Sequence, residues 1–322
     1  MENLTHYFAS ANTGTGFKNN FNFINSSLKD SYLYILKGGP GTGKSTLLKT
    51  VANHFLSKGE QVELFHCSSD PNSLDGIHLV ERNIAIVDGT APHITETTLP
   101  NAKEEIIDLG VFISDNVRAK KSKMLKRLAE KKRCYAYAYN YLNSAYHIFQ
   151  NKLILEKDDK FKPKTNRFIK ELDLKNQHRK SETRYLFLSS FVGEGINELP
   201  NNLNEKILDL SFSNADKFLK ALILKLEKLH YDLIVLPNLF DINYIDAVII
   251  PDLNLKITTK DIYNSKDKNI DLLLNNLIKL SGSEIEKAIT YHKQIEKYYI
   301  QNMDFKGVNE LTKRLIEKIE TF

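Results

Sequence analysis

The chain has 322 residues, 42% of them hydrophobic and 26% charged, which is the composition of a globular protein of about two domains. Its formal net charge of +5 is too small to indicate a polyanionic partner by itself. No apolar run approaches the ~18 residues that span a bilayer, and the polar start resembles no secretory signal. Cys67 and Cys134 cannot build a disulfide framework, so the composition predicts a cytoplasmic protein without a membrane segment.

A glycine-rich segment follows the first predicted strand. The aromatic and β-branched run at 32–36 is typical of a buried strand, and GGPGTGKS follows it at 38–45. This segment fits the phosphate-loop pattern G-x-x-x-x-G-K-[ST]. Apolar residues at helical spacing come next, from Leu47 to Leu56, and Gly59 can end that helix. The motif therefore has the strand–loop–helix context that phosphate binding requires.

The residue types in this segment match the chemistry of a bound nucleoside triphosphate. Glycines let backbone N–H groups turn inward around phosphates, and the helix N-terminus adds partial positive charge. We expect Lys44 to reach the β- and γ-phosphates, Ser45 to offer its hydroxyl to Mg²⁺, and Thr46 to meet the α-phosphate. The predicted nucleotide-binding residues are Gly38, Gly39, Pro40, Gly41, Thr42, Gly43, Lys44, Ser45 and Thr46.

Two more strands are predicted downstream, at 61–67 and at 84–88. The strand–helix–strand order predicts a parallel sheet. The third strand ends in Asp88, which resembles a Walker B acid. At the carboxyl end of its strand, Asp88 would hold Mg²⁺ and serve catalysis together with Lys44.

The group that orients the attacking water stays open, because Gly89 stands where many ATPases carry Glu. Candidates are Asp70 and Asp75 in the predicted loop after the second strand, and His93 in DGTAPH. The alternative is structural, since Asp forms turns and caps and His93 would then be a polar loop residue.

The chain also contains an internal repeat. A shift of 171 positions aligns residues 46–87 with the second half without a gap, and glycines at 14 and 16 match those at 193 and 195 at a shift of 179. The alternative is chance similarity between two α/β units. The second half lacks the phosphate-binding residues, because the positions of Gly43, Lys44, Ser45 and Asp88 hold Asn214, Ala215, Asp216 and Thr259.

This comparison bears on the candidate acids. Asp70 and Asp75 are matched by Asp241 and Asp246 in a half that should bind no nucleotide, which favours a structural role for them. An Asp at the position of Ser45 would also repel phosphate. The repeat therefore predicts a second unit with the same fold but a degenerate phosphate loop.

Three stretches together resemble a family of largely uncharacterised bacterial P-loop ATPases built as tandem halves: KGGPGTGKSTLLK, HCSSDPNSLDG and VDGTAPH. Members of this family are often labelled ATPase or nucleotide-kinase-like. The resemblance covers most of the chain and is strongest over residues 6–93. It implies a P-loop fold and nucleotide binding, without a substrate. Family members usually carry a phosphate loop in both halves, whereas residues 208–217 have lost theirs here.

Residues 100–160 have a different character. KEEIIDLGVFISDNV is predicted as a helix, and residues 118–133 carry nine basic residues and one acid before a tyrosine-rich stretch. We interpret the region as a helical hairpin projecting from the first unit, with 283–320 as the matching helices of the second. Basic charge beside aromatics would suit RNA or single-stranded DNA. The alternative is a solvated helix face whose tyrosines contact a partner helix.

The sequence thus predicts an α/β protein of the P-loop NTPase fold, a parallel sheet flanked by helices, duplicated in tandem. An active domain is expected at 1–170 with a helical insertion at about 100–155, and a degenerate domain at 171–322. The leading function is Mg²⁺-dependent ATP binding and hydrolysis, as a switch or an energy-coupling ATPase. The alternatives are a small-molecule or nucleotide kinase, and a nucleotide-gated nucleic-acid-binding module. Expected partners are ATP, an unidentified protein or acceptor, and a second copy of the chain.

Overall fold

The computed structural model describes residues 3–21, 31–155, 160–259 and 267–322. Two mixed β-sheets form the centre of the molecule, and α-helices cover them. None of the helices in these ranges combines the length and the apolar character that crossing a bilayer requires.

In residues 3–21 and 31–108, the structure shows eight strands and one α-helix of the first half. They are β1 (Leu4–Tyr7), β2 (Ser10–Thr13), β3 (Gly16–Asn19), β4 (Tyr32–Lys37), α1 (Lys44–Ser57), β5 (Val62–His66), β6 (Leu74–Leu79), β7 (Ile84–Asp88) and β8 (Glu104–Asp108). The strand order of the six-stranded sheet is β1-β5-β6-β7-β4-β8, and β2 and β3 form a separate hairpin. Strand β6 runs antiparallel to both of its neighbours, so the prediction of a parallel sheet was wrong at this strand.

The middle of the chain is helical. Helix α2 (Lys121–Leu155) is one continuous helix of 35 residues, and α3 (Thr165–Glu171) follows it. The predicted helical insertion at about 100–155 was therefore wrong in its first part. Residues 104–108 form β8, which pairs with β4, and two 3₁₀ turns lead from there into α2.

The second half repeats the arrangement of the first. Its elements are β9 (Thr183–Tyr185), β10 (Ser189–Val192), β11 (Gly195–Glu198), β12 (Asn204–Leu208), α4 (Phe212–Lys228), β13 (Leu233–Pro237), β14 (Ile245–Ile250), β15 (Leu255–Thr259), α5 (Lys268–Ile300) and α6 (Phe305–Glu320). The sheet order is β12-β15-β14-β13-β9, with β14 antiparallel to its neighbours. Reading from β9, this is the order of β1, β5, β6, β7 and β4 in the first sheet.

A hydrogen bond also recurs at the shift of 171 residues. In the first half, Ser45 Oγ accepts from the Leu74 backbone N–H at 2.9 Å. In the second half, the Asp216 carboxylate accepts from the Ile245 N–H, also at 2.9 Å. The hydrogen bond between helix and strand is therefore conserved between the halves. The second half differs in having the negative charge of Asp216 at the position of the Ser45 hydroxyl.

The two sheets pack against each other, not only against helices. Side chains from both sheets form one buried cluster, which includes Leu33, Ile35, Val87, Ile234, Leu236 and Ile249. In the described residues, helices cover the outer face of each sheet and the other sheet covers its inner face. Helices α1 and α6 cover the first sheet, and α3 and α4 cover the second.

The C-terminal helices cross the predicted domain boundary at residue 170. Val308, Leu315 and Ile319 of α6 lie in the core of the first sheet, against α1. Helix α5 runs antiparallel along α2 in one extensive contact, where Phe149 and Leu274 share a buried cluster. The prediction of a hairpin within the first unit and matching helices on the second was therefore wrong. A helix from each half forms the pair instead.

Candidate phosphate-binding site

The glycine-rich loop connects β4 to α1 at the carboxyl edge of the first sheet. Gly41 and Gly43 have φ values of 74° and 93°, which favour glycine because a Cβ would be strained there. Gly43 is the N-cap of α1, and Lys44 is its first residue. The first backbone N–H groups of a helix have no acceptor within the helix, so this end of α1 suits an anion.

Lys44 and Asp88 lie close together at the N-terminus of this helix. Lys44 Nζ donates to the carbonyl oxygens of Gly38 and Gly39 at 2.8 and 2.9 Å, and it lies 3.5 Å from Asp88 Oδ2. Both side chains are largely buried, with 11% and 14% exposed. Strand β7 lies directly beside β4, which places the acid next to the loop.

The two oxygens of Asp88 have different surroundings. Oδ1 accepts from the Thr90 N–H at 2.8 Å and from the Thr90 hydroxyl at 2.6 Å, while Oδ2 faces Lys44. Burial raises the pKa of Asp88, and the charge of Lys44 and the bonds from Thr90 oppose that rise. Thr90 therefore fixes the carboxylate in one orientation.

Ser45 and Asp88 supply the oxygen donors that Mg²⁺ prefers. The Ser45 hydroxyl accepts one hydrogen bond from Leu74 and retains a second lone pair. In the part of the chain that the structure describes, no group of three or more His, Cys, Asp or Glu is arranged to hold a metal ion. Mg²⁺ with a nucleotide needs no such group, since one or two carboxylates and the phosphates complete its shell. The donor set therefore fits Mg²⁺ bound together with phosphates.

Asp75 and His93 form a buried pair near Asp88. Asp75 lies in β6, so its predicted place in a loop was wrong. His93 Nε2 lies 3.1 Å from Asp75 Oδ2, although the two are not aligned as a hydrogen bond. The His93 ring contacts Phe17 and Phe21, with centroids 5.3 Å away in each case. The negative charge of Asp75 also acts on Asp88 and contributes to its raised pKa.

Asp70 forms a turn. Its carboxylate accepts from the Asn72 N–H at 3.2 Å and its carbonyl accepts from the Ser73 N–H at 2.8 Å. Asp241 makes the equivalent bond to Asn243 in the second half, at 3.0 Å. This is the arrangement of an Asx turn, the structural alternative stated for Asp70.

The basic stretch 118–133 lies at the N-terminal end of α2, where most of its side chains are exposed. Two of the neighbouring tyrosines, Tyr135 and Tyr139, are engaged by other parts of the protein. Tyr135 donates to Ser69 Oγ, in the loop after β5, at 2.9 Å, and Tyr139 donates to Asn12 Oδ1, in strand β2, at 2.7 Å. Tyr137, by contrast, is 50% exposed on the same helix, so the nucleic-acid alternative stays a prediction.

Sequence reasoning missed one contact with the loop entirely. The last turns of α5 lie against it: a Cβ built on Gly41 would be 2.9 Å from the Glu296 carbonyl oxygen, and one on Gly39 would be 3.0 Å from the Tyr299 ring. No local sequence pattern predicts this contact, because it depends on the pairing of α5 with α2, two helices that are far apart in the sequence.

A family model described as Nephrocystin 3, N-terminal matches residues 12–131. This span is less than half of the chain. None of the curated proteins compared with the chain matches it, and neither does any solved structure. The match does not name the tandem ATPase family that the motifs resemble, and that resemblance stays a prediction.

The matched span, residues 12–131, covers one part of the candidate site. It contains the glycine-rich loop, Asp75, Asp88, His93 and the start of α2. It excludes α5, whose last turns contact the loop. The chain is thus similar to that family over one part of the site, and the contacts from α5 lie outside the similarity.

Proposed function

We propose that this protein has a P-loop NTPase fold in its first half, binds Mg²⁺-ATP on residues 38–46, and hydrolyses it. The observation that carries the proposal is the meeting of Lys44 and Asp88, 3.5 Å apart, at the N-terminus of α1. A lysine and an acid in this relation to a glycine-rich loop are the charged parts that phosphoryl transfer uses. ATP is favoured over GTP because no guanine-reading N-K-x-D motif is evident in the sequence.

The residues act by position and charge. Lys44 exchanges its carbonyl acceptors for oxygens of the β- and γ-phosphates and stabilises the charge that develops in the transition state. The N–H groups at the start of α1 hold the phosphates, and Thr46 meets the α-phosphate. When bound, Mg²⁺ neutralises phosphate charge and fixes the phosphate geometry, and Ser45 and Asp88 are the residues that would hold it.

The Asp75–His93 pair is the candidate for orienting the attacking water. The water oxygen bonds to the γ-phosphorus, the bond to the β–γ bridging oxygen breaks, and ADP leaves with the electron pair. The charge of Asp75 acts on Asp88, and the described residues offer no hydrogen-bond partner to His93 Nδ1. A histidine beside a carboxylate is suited to accept the proton of that water.

The second half carries no equivalent site in this proposal. Helix α4 begins at Phe212, and Ala215 and Asp216 occupy the positions of Lys44 and Ser45. The Asp216 carboxylate is engaged by the Ile245 N–H and by Lys220 Nζ. One nucleotide per chain follows from this asymmetry.

ADP release from the purified full chain with Mg²⁺-ATP is the test of this function. Turnover with water alone supports the ATPase. Release that requires an added nucleoside, nucleotide or other small hydroxyl compound replaces the ATPase with a kinase, and the required compound identifies the acceptor. Absence of both turnover and nucleotide binding would refute the proposal.

Asp88→Asn is expected to weaken the Mg²⁺ dependence of ATP binding. Asn keeps an oxygen that accepts from Thr90 but removes the charge that a hard cation requires. We expect about tenfold weaker Mg²⁺-ATP binding, the size of one charge-assisted contact, with Mg²⁺-free ATP binding little changed. ATP titrations of wild type and Asp88→Asn at a series of Mg²⁺ concentrations measure the difference in affinity.

A matched control is Asp108→Asn. Asp108 ends β8, on the other side of β4, and accepts from the Gly110 N–H, much as Asp88 accepts from the Thr90 N–H, but Asp108 is exposed. Asp108→Asn should leave the Mg²⁺ dependence of ATP binding unchanged. Equal Mg²⁺ dependence in wild type and Asp88→Asn would remove Asp88 from the proposed metal site.

A further inference from the structure

A lysine of α2 lies one helical turn from the contact between α5 and the glycine-rich loop. Lys131 Nζ donates to His292 Nδ1 at 2.8 Å, and His292 Nε2 lies 3.7 Å from Glu296 Oε1. Glu296 is the residue whose backbone touches Gly41. Four helical residues separate His292 from Glu296, about 6 Å along the axis. Lys131 is therefore close to the loop, on the side where α5 covers it.

A second contact of Lys131 lies within α2 itself. Its Nζ lies 5.9 Å from the centroid of the Tyr135 ring, and the Tyr135 hydroxyl donates to Ser69 Oγ at 2.9 Å. Ser69 belongs to the loop between β5 and β6, whose last residues lead to Leu74 and its bond with Ser45. The lysine thus stands between α5 and the loop that touches the proposed metal ligand.

The hydrogen-bond partner of Lys131 is neutral, and the charged groups that surround the lysine include the carboxylate of Glu296. Burial, together with the charges of Lys131 and Lys44, lowers the pKa of His292 to about 4, so its imidazole is neutral near pH 7. Burial lowers the pKa of Lys131 itself. Burial and the charge of Asp70 raise the pKa of Glu296, and the charges of Lys293, Lys131 and Lys44 oppose that rise, so the ammonium groups of Lys131 and Lys44 both lie near Glu296. A neutral partner leaves the positive charge of Lys131 available to a phosphate.

We propose that Lys131, positioned by His292, is a second cationic group for the γ-phosphate of the nucleotide held at residues 38–46, and that it lets the α2–α5 helix pair distinguish ATP from ADP. The inference rests on the proposed function. Lys44 approaches the phosphates from within the loop, and Lys131 approaches from the helix pair that covers it. A contact to the γ-phosphate alone strengthens binding of ATP and not of ADP.

The test compares two nucleotides on the full chain. Calorimetric titrations with Mg²⁺-ADP and with the non-hydrolysable analogue Mg²⁺-AMPPNP are made on wild type, Lys131→Met and the control Lys132→Met. Lys132 is the adjacent residue of α2 and is exposed. We expect Lys131→Met to weaken AMPPNP binding about tenfold or more, as for loss of a charge-assisted hydrogen bond, and to leave ADP binding unchanged. Lys132→Met should change neither.

Equal weakening of both nucleotides in Lys131→Met would overturn the inference, because the lysine would then only stabilise the helix pair. Unchanged AMPPNP binding would also overturn it. If Lys131→Met fails to fold by circular dichroism, Lys131→Gln, which keeps a polar side chain beside His292, must show the same selective loss. Failure of the proposed function looks different, since the wild type would then bind neither nucleotide.

Discussion

Lys44→Ala is expected to abolish most ATP turnover, with a fall in rate of about 10²–10³-fold. The physical reason is the loss of the one cation that the glycine-rich loop itself provides, at the point where charge develops on the transferred phosphoryl group. In the structure, the ammonium group of Lys44 donates to the carbonyl oxygens of Gly38 and Gly39 and faces Asp88. Initial rates of ADP release at saturating Mg²⁺-ATP measure the effect.

Lys49→Ala is the matched control for this variant. Lys49 lies on the same helix, is exposed, and donates to the Asn72 carbonyl oxygen. Its removal takes one lysine from α1 without touching the phosphate loop, so turnover should stay near the wild-type rate. A Lys44→Ala protein that is folded and turns over ATP as the wild type does would exclude the proposed site.

Arg184→Met is expected to lower the free energy of unfolding by about 3–5 kcal/mol, because it leaves a buried carboxylate without its partner. Arg184 of β9 binds Glu63 of β5 through two bonds of 2.7 and 2.8 Å, and His78 Nδ1 lies 2.9 Å from the same carboxylate. The Arg184 and Glu63 side chains are 16% and 9% exposed, and they join the two sheets. Urea unfolding measures the loss.

The control for this prediction is Arg167→Met. Arg167 pairs with Glu171 on α3, with side chains 79% and 46% exposed. An exposed pair of this kind contributes about 0–1 kcal/mol, so its loss should be small. If the two arginine variants are equally stable, the buried pair does not stabilise the contact between the halves.

The pair between Arg184 and Glu63 also predicts a dependence on pH. Burial alone would raise the pKa of Glu63, but Arg184 and His78 hold it well below its usual range. The stabilisation is present above the unfolded pKa of about 4.3 and is lost as the pH falls below it, towards the folded pKa. Between about pH 6 and about pH 3 the wild type should therefore lose more stability than Glu63→Gln/Arg184→Met.

The parts of the structure that local sequence predicts are those with a complete local pattern. The strand at 32–36, the glycine turn and the helix that ends near Gly59 carry their own signals, and so does the strand that ends in Asp88. Lys44 lies beside Asp88 because β4 and β7 are parallel neighbours in the sheet and present their carboxyl ends at one edge.

Local sequence patterns do not predict other elements, either because these contain polar residues or because their contacts join distant parts of the chain. Strand β6 reads as a loop because it contains Asp75 and His78, which are buried against His93 and Glu63 respectively. Only tertiary partners make those positions compatible with a strand. The contact of α5 with the loop depends on α2, more than a hundred residues away, so no local period encodes it.

The second half shows what a repeat in sequence can and cannot predict. The strand order of the two sheets and the hydrogen bonds of Ser45 and Asp216 follow the shift of 171 residues. The face-to-face packing of the two sheets does not follow from it, because a fully buried strand has the same apolar pattern whether a helix or another sheet covers it. For the same reason, the sequence does not predict that α6 packs on the core of the first sheet.

The most direct test is an equilibrium titration of the full chain with Mg²⁺-ATP, in which the number of nucleotides bound per chain is measured. The account predicts saturation at one nucleotide per chain, with binding lost or strongly weakened in Lys44→Ala. Absence of saturable binding would contradict it, as would binding that is unchanged in Lys44→Ala. Two nucleotides per chain would show that the second half also binds, despite Ala215 and Asp216 at the positions of Lys44 and Ser45.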